Sequence, residues 1–312
     1  MRATEDKIHG LRRRLMYPTL TRLRKAFEHK HHKVVTIDGR SNLVVKVRKA
    51  RPDIVFNWFS VLGIAQAYVP ALLEKMRVPY TGCTPLCHVL AMNKGLANRI
   101  LQCDRLPVPP FTLVSRKKRK PSQRVGFPVL VKPCSLGSSE GISEASFVES
   151  AEKLPAAIDV ALAVGQEALI TKFIRGRELT VGIIGNRKLQ ILPILEKHFE
   201  TKPGAPHIFT EKMKKKYAHW HENVTVPEIE VRQKANVVRA ATKAYRSICC
   251  NDFARVDIRL DRQGIPWVLD VNTLPGLYPK FSPLTKMANE MGKTVEYLAL
   301  RILEVARERL CM

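Results

Sequence analysis

The sequence holds no apolar run approaching the roughly 20 residues that a membrane helix needs, so no membrane span is expected. Its opening, MRATEDKIHGLRRRLMYP, is charged and lacks the apolar segment of a secretory leader. The 7 cysteines stand apart, without the paired spacing of a zinc site or the density of a disulfide framework, and reduced thiols in the cytoplasm are the expectation. No G-x-G-x-x-G follows an apolar strand, and G-x-x-x-x-G-K-[ST] is absent; a dinucleotide fingerprint and a P-loop are both excluded. Acidic residues are in short supply, 28 against 53 Lys and Arg, which leaves a net charge of +25. The excess gathers at Arg12-Arg13-Arg14, at Arg116 to Lys120, and at Lys212 with Lys214-Lys215-Lys216. Such charge recruits nucleic acid, anionic lipid or acidic small molecules. Stacking aromatics are not interleaved with it, as a single-strand binder would require, so a solvated basic surface is the plainer account.

What is present suffices for two or three domains: 312 residues, 45% of them hydrophobic. Leu20, Leu23 and Phe27 have helical spacing within Tyr17–His31, and KVVTI (Lys33–Ile37) and DIVFN (Asp53–Asn57) read as short strands. A helix over Ala65–Met76 and the strand and turn Val78–Gly82 follow, and the alternation suggests a parallel α/β domain. Thr84 suits an N-cap and Pro85 the first position of a helix reaching Gln102, on which Lys94 lies. The run Pro107–Pro110 marks a boundary.

Two segments carry nucleotide-like chemistry. A buried strand, Val129–Pro133, delivers Lys132 to the Gly/Ser loop Cys134–Ser143, where small residues let backbone N–H groups and hydroxyls close on phosphate oxygens. A flexible hairpin tip is the alternative. In Ala168–Gly185 two apolar strands flank Arg175-Gly176-Arg177-Glu178, which places one acid at a crossing suited to ribose hydroxyls. From Glu196 to Glu228 the periodicity fails; this stretch reads as a long loop, either a basic lid over an anionic site or a disordered loop. Helices are expected again over Pro227–Cys249 and Val295–Leu310.

The densest pattern is FARVDIRLDRQGIPWVLDVNTLPG, Phe253–Gly276. Two apolar runs flank the four-residue connection Asp261–Gly264, a hairpin signal. Ala254, Val256, Ile258 and Leu260 take one face of the first strand, and Trp267, Leu269 and Val271 are the apolar positions of the second. An even connection pairs odd positions with even ones, so Arg255, Asp257, Asp270 and Asn272 share the other face. Two carboxylates, an amide oxygen and a guanidinium together suit Mg²⁺ and phosphate. An ordinary solvated polar face is the alternative.

Together VLVKPCSLGSSEGIS (Val129–Ser143), FIRGRELTV (Phe173–Val181), ARVDIRLD (Ala254–Asp261) and LDVNTLPG (Leu269–Gly276) resemble the ATP-grasp enzymes, and within them the D-alanine–D-alanine ligase family. VPYTG (Val78–Gly82), AMNK (Ala91–Lys94) and LPVPPF (Leu106–Phe111) match in the same order, so the likeness covers Asp53 onward. It implies an α/β chain, α+β in its ATP-grasp part. The three domains would be an N-terminal parallel α/β domain (1–92), a central ATP-grasp subdomain (93–180) and a C-terminal catalytic one (181–312). It implies ATP, a pair of Mg²⁺ ions with Mn²⁺ as a substitute, and amide formation through an acylphosphate. Residue by residue, Lys94 and Lys132 would hold ATP phosphates, with Lys215 or Lys216 reaching the γ-phosphate. Lys172 and Ile174 would meet adenine through their backbone, Phe173 would pack on it, and Glu178 would bind ribose. Asp257, Asp270 and Asn272 would bind the metal. Arg255 and the Gly276 N–H would stabilise the tetrahedral intermediate, and Ser138 would position substrate. Tyr217, Lys280 and Ser282 would face the substrates.

The sequence also departs from the family. The family's first glycine-rich loop with its substrate-amine glutamate has no counterpart here, and Trp58–Gly63 replaces its histidine-glycine and glutamate-aspartate-glycine segment. Thr171 stands where a glutamate usually contacts adenine, Asp270 replaces the usual metal glutamate, and Ser282 falls one residue late. These departures separate ATP chemistry, which transfers, from D-alanine specificity, which does not follow. The positive charge suggests an anionic substrate. The family's habit suggests a homodimer. The competing class is a catalytically weak relative that binds nucleic acid or another polyanion.

Overall fold

The computed structural model describes residues 2–59, 63–121, 125–137, 140–198, 208, 224–279 and 281–312, with residues 2–15 as backbone only. It has mixed helix and sheet throughout. No helix among the described residues is long and apolar enough to cross a membrane.

Two antiparallel sheets frame the molecule. The first contains β1 (Phe111–Ser115), β2 (Val129–Pro133), β3 (Phe147–Val148) and β4 (Glu167–Lys172), in the order β1-β4-β2-β3. The second has β5 (Arg177–Gly185) near its centre, with the short β6 (Leu189–Ile191), β7 (Leu195–Lys197) and β8 (Val224–Thr225), and the hairpin β9 (Phe253–Leu260) and β10 (Pro266–Asn272), in the order β10-β9-β5-β7-β8. Between β4 and β5 the chain crosses from one sheet to the other. Gly176 permits that crossing, since at φ +154° a Cβ would sit 2.1 Å from the Leu260 carbonyl oxygen.

Beneath the second sheet lies the largest core cluster. Ala254, Val256, Ile258 and Leu260 enter it from β9, as alternation predicts. Val237, Ala240, Ala241, Ala244 and Tyr245 enter it from an amphipathic helix, Val231–Ser247. Each large apolar side chain so buried contributes about 1.5–3 kcal/mol.

The hairpin corrects part of the sequence reading. Its connection runs from Asp261 to Ile265, five residues rather than four, and Asp261 ties it by accepting from the Gln263 N–H (3.0 Å), the Ile265 N–H (2.8 Å) and Trp267 Nε1 (2.7 Å). Near the turn, even positions therefore pair with even: Pro266 opposes Leu260 and Val268 opposes Ile258. A bulge at Leu269 then shifts the register, so that Asp270 opposes Asp257 and Asn272 opposes Arg255. The expected face is recovered. Val268 and Val271, not Trp267 and Leu269, reach the core.

In the N-terminal part, α1 (Arg2–His29) buries Leu23 and Phe27 against the last helix, Val295–Leu310, and Arg22 ion-pairs with Glu296 at 2.6 Å. Lys33–Ile37 is coil, not strand, and among the described residues the parallel pairing expected here reduces to a single bridge, Val55 with Tyr80. The helix expected over Thr84–Gln102 is two: α2 (Pro85–Met92), whose N-cap Thr84 accepts from the Cys87 N–H at 3.3 Å, and α3 (Lys94–Cys103), capped by Asn93. Within Glu196–Glu228, β7 and β8 are ordered strands, and the Lys212–Lys216 cluster lies outside the described residues.

Candidate functional site

The cleft between the two sheets encloses ≈ 140 Å³ and is bordered by Lys132 and Thr171 from one sheet, Phe173 and Ile174 from the crossing, and Glu178, Asp257, Arg259 and Asp270 from the other. Arg255 lies against Asp257 as a fork, Nε to Oδ1 at 3.1 Å and Nη2 to Oδ2 at 3.0 Å. Asn272 Nδ2 donates to the same Oδ2 at 3.3 Å. Asp270 stands opposite Asp257 in the ladder. Burial by itself would push the Asp257 carboxyl up, but the Arg255 and Lys197 cations outweigh it and hold it well below the usual carboxylate range. Asp257 is thus a carboxylate at any physiological pH.

Glu178 is gripped from two sides, by Arg259 Nη2 at 2.5 Å and Lys197 Nζ at 3.1 Å. Burial again opposes ionisation, and these two cations again reverse it, leaving the carboxyl below its usual value. Arg259 also lies over the Phe173 ring, 5.4 Å from its centroid, and donates to the Ile174 carbonyl at 3.4 Å. The Lys172 N–H donates to Pro110 O (2.7 Å) and the Phe173 N–H to Pro128 O (2.9 Å), which locks the crossing segment between the linker and β2. The Lys172 ammonium is turned back onto the Phe127 carbonyl, 2.5 Å away.

Lys94, at the first turn of α3, is buried and donates to the Leu136 carbonyl of the Gly/Ser loop. Lys132 faces the cleft. Burial and the neighbouring Lys94 charge pull it down to about 8. Gly276 closes the turn after β10, and a Cβ there would meet Ser282 Oγ at 2.8 Å. Ser282 Oγ accepts from the Tyr278 N–H at 2.9 Å, so this hydroxyl closes a turn beside Gly276. Ser138, Lys215, Lys216, Tyr217 and Lys280 lie outside the described residues.

Three features escaped the sequence reading. Arg259 has the parity of Arg255 and Asp257 and could have been found by continuing the alternation two residues further. Lys197 was hidden in a stretch read as loop. The third feature is a buried contact with the N-terminal part, where His88 Nδ1 lies 2.9 Å from Gln66 Nε2 and 2.7 Å from Thr273 Oγ1, in the turn after β10. Burial holds the His88 imidazole below its usual value. Cys83, Cys87 and Cys250, scattered in sequence, also converge in the core, with Cys87 and Cys250 Sγ atoms 3.8 Å apart; all seven cysteines are free thiols.

Chemically, the arrangement offers hard oxygen donors (Asp257, Asp270, Asn272) beside a rim of cations. That set fits Mg²⁺, which takes one or two carboxylates together with phosphate oxygens. The family described as D-ala D-ala ligase C-terminus matches residues 100–304. A D-alanine–D-alanine ligase of Pelotomaculum thermopropionicum is 32% identical over 81% of this chain and 80% of its own. The D-alanine–D-alanine ligase of Bacillus anthracis, solved in complex with ATP, superposes with a TM-score of 0.76 at 22% identity, covering 95% of this chain and 93% of that one. The VanG D-Ala:D-Ser ligase of Enterococcus faecalis gives 0.67 at 21% identity, covering 81% and 73%.

Proposed function

The chain belongs to the D-alanine–D-alanine ligase family of ATP-grasp enzymes, and from that premise we propose an ATP-dependent ligase that joins the carboxylate of one amino-acid-like substrate to the amine of another. The observation that carries it is the face shared by Arg255, Asp257, Asp270 and Asn272, across the cleft from Lys132. A module that only binds a polyanion has no use for ionised buried carboxylates, so the nucleic-acid reading is not favoured.

The reaction is assigned as follows. A substrate carboxylate oxygen attacks the γ-phosphorus, the bond to the β-bridging oxygen breaks, and ADP leaves. The neutral amine of the second substrate attacks the acyl carbon, and the tetrahedral oxyanion collapses with cleavage of the carbon–oxygen bond to phosphate, the nitrogen's excess proton leaving with the inorganic phosphate. Lys94 and Lys132 bind phosphate oxygens. The Lys172 and Ile174 backbone and the Phe173 ring hold the base, and Glu178 takes the ribose hydroxyls. Asp257, Asp270 and Asn272 would hold Mg²⁺, which supplies charge neutralisation along the polyphosphate. Arg255 and the Gly276 N–H face the developing oxyanion. Ser138, Lys215, Lys216, Tyr217, Lys280 and Ser282 keep their assignments to the lid and the substrates. We retain three domains, with the second boundary moved to the crossing before Arg177, on the ground that β5 belongs wholly to the second sheet. The free thiols support a reducing, cytoplasmic setting.

For substrates, the names of the relatives put D-alanine first on the panel to be tested, and the net charge of +25 adds acidic amino acids to it. The test is ADP release with Mg·ATP across D- and L-amino acids and acidic amines, beside an Asp257→Asn variant. Release that depends on a substrate pair and vanishes in the variant is expected. Release that is equal in the variant would overturn the assignment.

A further inference from the structure

Lys197 has no role in the scheme above, yet its ammonium lies 3.1 Å from Glu178 Oε1 and 3.3 Å from Asp257 Oδ1. These acids are assigned to opposite ends of the nucleotide, ribose and metal. The backbone makes the arrangement possible: β5 is flanked by β7 and β9, with Glu178 opposite Lys197 on one side and Thr180 opposite Asp257 on the other. A lysine on β7 therefore reaches across β5 to the acid of β9. All three side chains are nearly closed off, 15%, 10% and 12% exposed. At that burial an ammonium shared by two carboxylates neutralises charge that water cannot.

The same two acids each have a second cation, Arg259 on Glu178 and Arg255 on Asp257. Neither acid is left bare if Lys197 is removed, so the lysine is not required to keep either one paired. Its position also has a consequence for ion binding. Asp257 Oδ1 cannot serve a divalent ion closely while an ammonium rests on it, and a dipositive ion entering beside an ammonium meets like charge.

We propose, on the basis of the ligase reading above, that Lys197 is a resident counter-ion of the nucleotide-free cleft: it occupies Asp257 until a polyphosphate arrives, then transfers its charge to the phosphates and leaves Asp257 to the metal. Divalent-ion binding is thereby made conditional on nucleotide, and the coupling is reciprocal. Lys197 acts as a positioning residue; it does not take part in the chemical steps.

The experiment uses the full chain and Mn²⁺ as the probe. Mn²⁺ is titrated without nucleotide and followed by the electron paramagnetic resonance of the free ion. ADP is titrated calorimetrically with EDTA present, and thermal unfolding confirms folding. Lys197→Met should bind Mn²⁺ about tenfold more tightly without nucleotide and ADP about tenfold more weakly without metal, a coupling of ordinary size. Lys197→Arg should restore both toward wild type. Mn²⁺ and ADP affinities within twofold of wild type in Lys197→Met would overturn the inference. Asp257→Asn separates the two levels. If it abolishes Mn²⁺·ADP binding while Lys197→Met changes nothing, only the counter-ion role falls. If it leaves Mn²⁺·ADP binding intact, the site assignment falls as well.

Discussion

The second sheet and the segment before Asn93 meet at the turn that follows Asn272 but are held together by different means. In the sheet, β5 pairs with β9 along all of β9 and places charged residues at fixed spacing on one face. Before Asn93, among the described residues, the extended pieces share one parallel bridge, and order comes from helices packed on neighbours, from the Arg22–Glu296 ion pair and, most deeply buried, from two polar clamps. One clamp is the Gln66–His88–Thr273 contact. The other is Asp252, fully buried, which accepts from the Gly82 N–H (2.7 Å), Asn186 Nδ2 (3.0 Å) and Arg309 Nε (2.9 Å) while Arg309 Nη2 reaches the Tyr80 carbonyl at 2.8 Å. Ladders fix atoms for phosphoryl chemistry, and clamps tolerate change in what they hold. The four longer motifs that match the family run through the strands of the two sheets, while Val78–Gly82 and Ala91–Lys94 match within the clamped part. The longest departure, Trp58–Gly63, falls in the sequence before Asn93, whereas the single-residue departures Thr171 and Asp270 lie on the ladders.

The largest expected effect tests the ladder side. Arg255→Gln should lower turnover about 10²–10³-fold, the usual loss of an oxyanion donor. Arg255 is assigned to the oxyanion and not to the nucleotide, so ADP binding with Mg²⁺ present should stay within a few fold. Turnover and ADP affinity measured together decide it: equal losses in both would mean that Arg255 organises the cleft and does not act on the reaction.

Next is the clamp. Asp252→Ala strips an anion from Arg309, whose side chain is 23% exposed, and from a buried N–H. Breaking a buried pair costs about 3–5 kcal/mol, and the partial exposure of Arg309 argues for the low end, about 3 kcal/mol. Urea unfolding should show the loss. If two transitions replace one, the N-terminal segment has been released from the sheets. A loss below about 1 kcal/mol would show that helix packing alone holds that segment.

A smaller effect is graded by pH. The free Lys132 titrates near 8, against 10.5 ordinarily. Polyphosphate favours its protonated form. Below pH 8 the lysine is already charged and ADP affinity should be flat. Above pH 8 binding must take up a proton, and affinity should fall by up to about tenfold per unit. For folding the sign is opposite. Between the folded and unfolded values the unfolded chain holds more protons, so stability rises with pH across that window. Calorimetry in buffers of different ionisation heat should find proton uptake on ADP binding at pH 9 and little at pH 7. Uptake equal at both would place Lys132 away from the phosphates.

How much of this could be seen beforehand also divides between the two regions. The face carrying Arg255, Asp257, Asp270 and Asn272 was legible because strand periodicity is local. Its parity came out right because two deviations each shift the pairing by one residue in the same direction, a five-residue connection in place of four and a bulge at Leu269, so the shared face returns although the register does not. Neither is written in the apolar pattern, because a bulge depends on which edge a strand occupies. β10 is an edge, and its Val268 N–H is taken by the Pro107 carbonyl. Lys197 was not legible, since β7 is three residues long and a period needs more. KVVTI has strand composition but stays coil, because a strand forms only where another lies beside it.

The smallest effect tests whether the comparison itself is sound. Thr84→Ala removes the cap of α2, which buries Cys87, His88, Ala91 and Met92. The cost should be about 1 kcal/mol, seen as a fall of about 2–4 °C in melting temperature. If clamp and ladder are separate, ADP affinity should stay within twofold, because the lysines assigned to phosphate, Lys132 and Lys94, hang on β2 and on α3, and α3 has its own cap at Asn93. Should ADP affinity fall in step with stability, the strain would have passed from α2 through His88 and Thr273 into the turn that follows Asn272. The N-terminal segment would then help set the nucleotide site as well as the substrate site, and the two regions would form one energetic unit.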